Sequence, residues 1–119
     1  MHKLTLSLAT AAALVFGMRH AALKSSVPAK NAVVTESPKA ISLTFTEGVL
    51  LPATSISVLA ADSTLVEKLV VKAVAGDTTV SGPLTKTLAN GKYIVKWKNG
   101  AKDDGHVSSG AFAFTVSTK

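Results

Sequence analysis

From residue 20 onward, apolar and polar side chains alternate with a period of two, the spacing that gives a strand one buried and one solvated face. In Ile41-Ser42-Leu43-Thr44-Phe45-Thr46 the alternation is strict. Ile56, Val58 and Ala60 alternate with Ser55 and Ser57, and Phe112, Phe114 and Val116 alternate with Ala111, Ala113 and Thr115. Tyr93, Val95 and Trp97 alternate with Lys92, Lys96 and Lys98, although Ile94 makes the second face partly apolar. Leu65 to Val74 is apolar but less regular, and predicts a strand or a strand with a bulge. No stretch after residue 20 carries a helical repeat.

The punctuation agrees with short strands. Pro28 and Ala29-Lys30-Asn31 break the first of them, and Ser37-Pro38 precedes the second run. Leu51-Pro52, Gly76-Asp77, Ser81-Gly82-Pro83, Asn90-Gly91 and Asn99-Gly100 all read as turns. Turns at these intervals predict an all-β fold: two packed antiparallel sheets of about seven strands, Greek-key connected, in an immunoglobulin-like sandwich. Residues 20–119 form its single domain, with no internal repeat or low-complexity linker.

The first segment is different. His2 and Lys3 precede an unbroken apolar and small-residue stretch from Leu4 to Gly17. At about 1.5 Å per residue it would reach only about 21 Å as a helix, short of the roughly 30 Å hydrocarbon core of a bilayer. Residues 1–19 are therefore expected to be a signal peptide, which implies export. Cleavage before His20 puts Arg19 and Gly17 at the positions where signal peptidase prefers small residues, and Arg19 fits poorly. Ala11 and Ala13 fit better but would leave Leu14 to Arg19 on the mature chain.

Composition narrows the chemistry. The 119 residues are 47% hydrophobic and 17% charged, which suits a folded chain rather than a disordered one. There is no cysteine, so disulfides, thiolate metal sites and thiol catalysis are excluded. The net charge of +6 comes from lysines spread singly along the chain, with few aromatics as stacking platforms, so no nucleic-acid partner is expected. The lysines are expected on solvent faces of strands. No G-x-S-x-G elbow or phosphate-cradling loop occurs, and the adjacent Asp103 and Asp104 are the one candidate acid pair. No enzyme is expected.

Two histidines remain outside the leader, His20 and His106. His106 stands in Asp104-Gly105-His106, where an acid and an imidazole one residue apart can face the same side of an extended segment. Gly105 leaves the backbone free to turn both toward one ion. If His20 were the first residue of the mature chain, its α-amine and imidazole would supply two more nitrogens. Three nitrogens and one carboxylate oxygen in a plane suit Cu(II), whereas Zn(II) prefers tetrahedral sites and Ca(II) more oxygens.

Three stretches stand in order along the chain: His20-Ala21-Ala22-Leu23-Lys24-Ser25-Ser26-Val27-Pro28-Ala29; Ile41 to Glu47; and Gly91-Lys92-Tyr93-Ile94-Val95-Lys96-Trp97 followed by Asp104-Gly105-His106 and Gly110. Together they resemble the CopC family of periplasmic copper-binding proteins. The resemblance implies a seven-stranded sandwich with one Cu(II) held by His20 through amine and imidazole, Asp104 and His106. Glu47 matches a carboxylate found near the copper in some members, as a weak or outer group. Members with a methionine-rich loop bind Cu(I). The methionines here are Met1 and Met18, so no Cu(I) thioether site is expected. The resemblance further implies a monomer that serves copper sequestration, trafficking or resistance in the periplasm, with an inner-membrane copper transport protein as partner. The alternative is a metal-free exported immunoglobulin-like module that docks onto a membrane or cell-surface partner.

Overall fold

The computed structural model describes residues 21–118; the expected signal peptide and His20 lie outside the described residues. The described residues form nine strands: β1 (Leu23–Val27), β2 (Val33–Val34), β3 (Ala40–Phe45), β4 (Ser55–Ala60), β5 (Leu65–Lys68), β6 (Lys72–Ala75), β7 (Thr79–Pro83), β8 (Gly91–Gly100) and β9 (Val107–Val116). They make a four-stranded sheet of order β1-β3-β7-β6 and a five-stranded sheet of order β2-β9-β8-β4-β5. Every pairing is antiparallel except the two-residue β2–β9 pair. The expected all-β Greek-key sandwich is borne out, because β3 pairs with β7 and β4 with β8 across long connections.

Period two becomes the core directly. Ile41, Leu43 and Phe45 of β3 and Val80 of β7 point in from one sheet. Ile56 and Val58 of β4, Val95 and Trp97 of β8, and Phe112, Phe114 and Val116 of β9 point in from the other. Their intervening neighbours carry the serines, threonines and lysines. Removing these side chains from water, at about 25 cal/mol per Å² of apolar surface, is the main force that closes the two sheets. Phe45 meets Trp97 edge-on across the layers, with ring centroids 5.3 Å apart, and Tyr93 stacks on Phe114.

Two features raise the strand count above the seven expected. The irregular run from Leu65 to Val74 is neither one strand nor a bulged one. It pairs as β5 in the five-stranded sheet, crosses the sandwich at buried Leu69, and pairs again as β6 in the other sheet. Val33–Val34 adds a short edge strand after the break at Pro28.

Two turn expectations are corrected. Ser81-Gly82-Pro83 lies within β7, where a side chain on Gly82 would stand 2.6 Å from Leu69 Cβ. The glycine serves the crossing of Leu69 rather than a turn. Asn99-Gly100 is likewise not a turn but the last two residues of β8, both buried. The chain instead reverses over Lys102 to Asp104.

Candidate metal centre

The β8–β9 hairpin continues in register through Asn99–Ser108 and Gly100–Val107, and the Ala101 N–H then donates to the His106 carbonyl at 2.8 Å. The loop that remains is short and internally bonded. The Gly105 N–H donates to the Ala101 carbonyl at 2.8 Å, and Asp104 Oδ1 accepts the His106 backbone N–H at 2.9 Å. That last bond is the ordinary habit of an aspartate accepting from the backbone two residues on. Gly105 has φ +73°, in the left-handed region that a side chain disfavours. Asp104 and His106 are thus neighbours because of a tight turn, not because the segment is extended. The freedom expected of Gly105 is used. Asp104, Gly105 and His106 are all exposed, so the pair faces solvent at one end of the sandwich.

Glu47 reaches the same end by a different route. Beyond β3 the chain stays strapped on both sides: the Thr46 N–H donates to the Ala22 carbonyl at 2.8 Å, and the Lys102 N–H donates to the Gly48 carbonyl at 2.9 Å. Val49 then forms a bridge with Ala101. Half-buried Glu47 therefore sits between a residue bonded to Ala22, just before β1, and a residue bonded to the hairpin loop. Lys102 pairs with Asp77 at 3.2 Å, and a side chain on Gly48 would strike the Asp77 carboxylate at 2.5 Å.

The start of the described chain is held from two sheets. Ala21 is fully buried, and its carbonyl accepts a hydrogen bond from Asn99 Nδ2 at 2.9 Å. The Ala22 N–H donates to Thr46 Oγ1 at 3.1 Å. Asn99 itself is 0% exposed and stands opposite Ser108, two residues from His106. At about 3.3 Å per strand residue, that rung lies only about 7 Å along the hairpin from His106.

Of the four site residues read from sequence, Glu47, Asp104 and His106 fall at one end of the fold, and His20 lies outside the described residues. Among the described residues no three His, Cys, Asp or Glu side chains gather closely enough to hold a metal ion. Asp104 and His106 are two of the three or more side chains such a group needs. Sequence reasoning missed Asn99 and Thr46, whose side chains fasten the segment beside His20. A carboxamide in a strand is a weak local signal, and Asn-Gly points toward a turn.

Residues 23–117 match the family described as CopC domain. Protein YobA of Escherichia coli strain K12 is 34% identical over 98 residues, which cover 82% of this chain and 78% of that protein. Among solved structures, CopC from Methylosinus trichosporium OB3b aligns with a TM-score of 0.77 at 32% identity, covering 83% of this chain and 95% of that one. PcoC, a methionine-rich copper resistance protein from Escherichia coli, aligns with a TM-score of 0.65 at 25% identity, covering 82% and 99%. Family match, identity and shared architecture agree, and the chain belongs to the CopC family.

Proposed function

We propose that this chain is an exported copper-binding protein that holds one Cu(II) ion for sequestration, trafficking or resistance in the periplasm, and that it is a carrier rather than a catalyst. The ligands in this reading are the amine and imidazole of His20, one carboxylate oxygen of Asp104 and the imidazole of His106. Glu47 supplies an outer carboxylate. An inner-membrane copper transport protein is the delivery partner, and the carrier acts as a monomer.

The observation that carries the reading is the anchoring of Ala21. The residue joined to His20 by one peptide bond is buried and bonded to Asn99, close along the hairpin to His106. The donor set also fits the ion. An amine, two imidazoles and a carboxylate are borderline-to-hard donors that Cu(II) takes in a tetragonal plane. Asp104 is exposed and accepts the His106 backbone N–H at Oδ1, which holds the carboxylate at the turn beside His106. The chain has no cysteine, and its methionines precede the domain, so nothing in residues 20–119 offers the soft sulfur that Cu(I) prefers.

The relatives support the copper reading through what they are called: a CopC and a copper resistance protein. The test is a Cu(II) titration of the exported protein, its first residue read by mass spectrometry, with paramagnetic resonance on the complex. His106→Ala should weaken binding and remove one nitrogen from the spectrum. One residue added before His20 should weaken binding as well, because it displaces the amine from the chelate ring. Unchanged affinity and spectrum in both variants would refute this ligand set.

A further inference from the structure

We propose that Asn99 is the positioning residue of the copper site, acting through the peptide unit between Ala21 and Ala22. The proposal rests on the copper-binding reading above and adds to it a residue that touches no ligand.

Asparagine is depleted in strands, and a fully buried carboxamide is costly unless it is hydrogen-bonded. Asn99 nevertheless occupies the penultimate position of β8 with 0% exposure. Its Nδ2 is spent on the Ala21 carbonyl, 78 residues away in sequence. Among the described residues its Oδ1 has no hydrogen-bond partner, and neither has Ser108 Oγ on the facing residue of β9. The polar contribution of this side chain to the described fold therefore runs through the Ala21 bond.

That bond is half of a clamp. The peptide between Ala21 and Ala22 is planar, so its carbonyl and its N–H share one rigid unit. Asn99, from the five-stranded sheet, holds the carbonyl, and Thr46, the residue after β3 of the four-stranded sheet, holds the N–H. A plane gripped at both edges has no freedom to rotate. What separates it from the preceding residue is the pair of backbone dihedrals at Ala21, whose side chain is itself fully buried. The clamp thus fixes the direction in which the chain leaves the fold toward residue 20. Ligands delivered by a chain terminus otherwise lose conformational freedom at the moment of binding, and pre-ordering the terminus removes that cost.

The experiment uses the exported protein in two backgrounds, one natural and one carrying a single extra residue before His20. Asn99→Leu keeps the size of the side chain and removes the donor; Asn99→Ser serves as a second, smaller replacement should the first not fold. In the natural background either variant should bind Cu(II) about tenfold more weakly, the equivalent of one hydrogen bond, with a broadened or altered paramagnetic spectrum. In the extended background, where the amine no longer joins the chelate, the same substitution should change affinity by less than about twofold, the sign of coupled rather than independent effects. Natural affinity and spectrum in a folded variant would overturn the proposal, and so would an equal loss in both backgrounds, which would mark a purely structural role. Failure of the copper reading is distinguishable: there, neither His106→Ala nor the extra residue would affect binding by the otherwise unaltered chain.

Discussion

Replacing Gly110 with alanine tests how rigidly the Trp97 indole is held between the sheets. Gly110 of β9 faces Trp97 of β8 in register, so their inward faces coincide. A methyl built on Gly110 would lie 2.6 Å from Trp97 Cζ2 and 2.9 Å from Cε2. Carbon atoms pack comfortably at about 3.5–4.0 Å, so the overlap is about 1 Å. The indole has little room to retreat, because Phe45 closes on it from the opposite sheet at 5.3 Å. The strain must appear as an off-rotamer indole or as parting strands, and overpacking of this kind costs about 1–3 kcal/mol. Alanine recovers about 0.5–1 kcal/mol because glycine loses more freedom on folding. The net expectation is a loss of roughly 1–2 kcal/mol. With a slope of about 1–1.5 kcal/mol per molar urea for a domain of this size, the unfolding midpoint should fall by about 1 M. The fluorescence of Trp97, the chain's single tryptophan, reports the transition. A variant as stable as the parent would show that Trp97 is free to shift and that the packing argument is wrong.

Two further outcomes can be checked on the same protein. Glu67 receives the Thr85 hydroxyl at 2.7 Å and the backbone N–H groups of Thr85 and Lys86, which hold its carboxyl below the usual carboxylate range, the Thr85 hydroxyl contributing most. A lowered folded value means stability that is present above the unfolded titration and disappears as pH falls through the folded one. Glu67→Gln should therefore destabilise the protein at about pH 7 and make little difference at about pH 2.5 in urea unfolding, and an equal deficit at both would contradict the ionic assignment. Separately, Cu(II) affinity should fall with decreasing pH and binding should release protons, since amine and imidazole bind metal only when neutral; calorimetry in buffers of different ionisation enthalpy measures this, and a pH-independent affinity would count against the nitrogen ligands.

The legible part of the fold was the part written in nearest neighbours. Ile41 to Phe45 and Phe112 to Val116 announce a buried face by alternation alone, and each became a core strand with that face inward. The crossing at Leu69 was not legible, because a strand that changes sheets keeps its apolar content while losing its period. What marks it is Gly82, which reads as a turn residue until Leu69 is found against it. Asn99-Gly100 misled for a similar reason. The pair is a strong local hairpin signal, but both residues stay in the β8–β9 ladder opposite Ser108 and Val107, and the Asn99 side chain bonds Ala21 at a separation of 78 residues. At the candidate site, Asp104 and His106 were readable as neighbours in sequence, and the left-handed Gly105 between them was foreseeable. The placement of Glu47 between the stretch just before β1 and the hairpin loop depends on backbone bonds from Ala22 and Lys102 that no local pattern reveals.

The proposed ligands adjoin, in sequence, strands of different sheets, and this makes copper a test of the fold as well as of the site. His20 precedes β1, at the edge of the four-stranded sheet, whereas Asp104 and His106 close the β8–β9 hairpin of the five-stranded sheet. The two sheets are joined by apolar packing, and at this end also by the Asn99–Ala21 bond, the backbone bonds of Gly48 and Leu50 to Lys102 and Gly100, and the Lys102–Asp77 ion pair. An ion bound across that junction binds the folded chain and not the separated segments, so it stabilises by RT ln(1 + [L]/Kd), about 4 kcal/mol at a thousandfold excess of free copper over Kd. For a domain of this size that is a rise in Tm of roughly 15 °C or more. A thermal scan with free Cu(II) set by a chelator buffer measures the rise. His106→Ala, which leaves the ion fewer ligands on one sheet, should show much less of it. Copper that leaves Tm unchanged, or raises it equally in the variant, would mean that the ion does not bridge the sheets, and the ligand set would have to be sought on one of them alone.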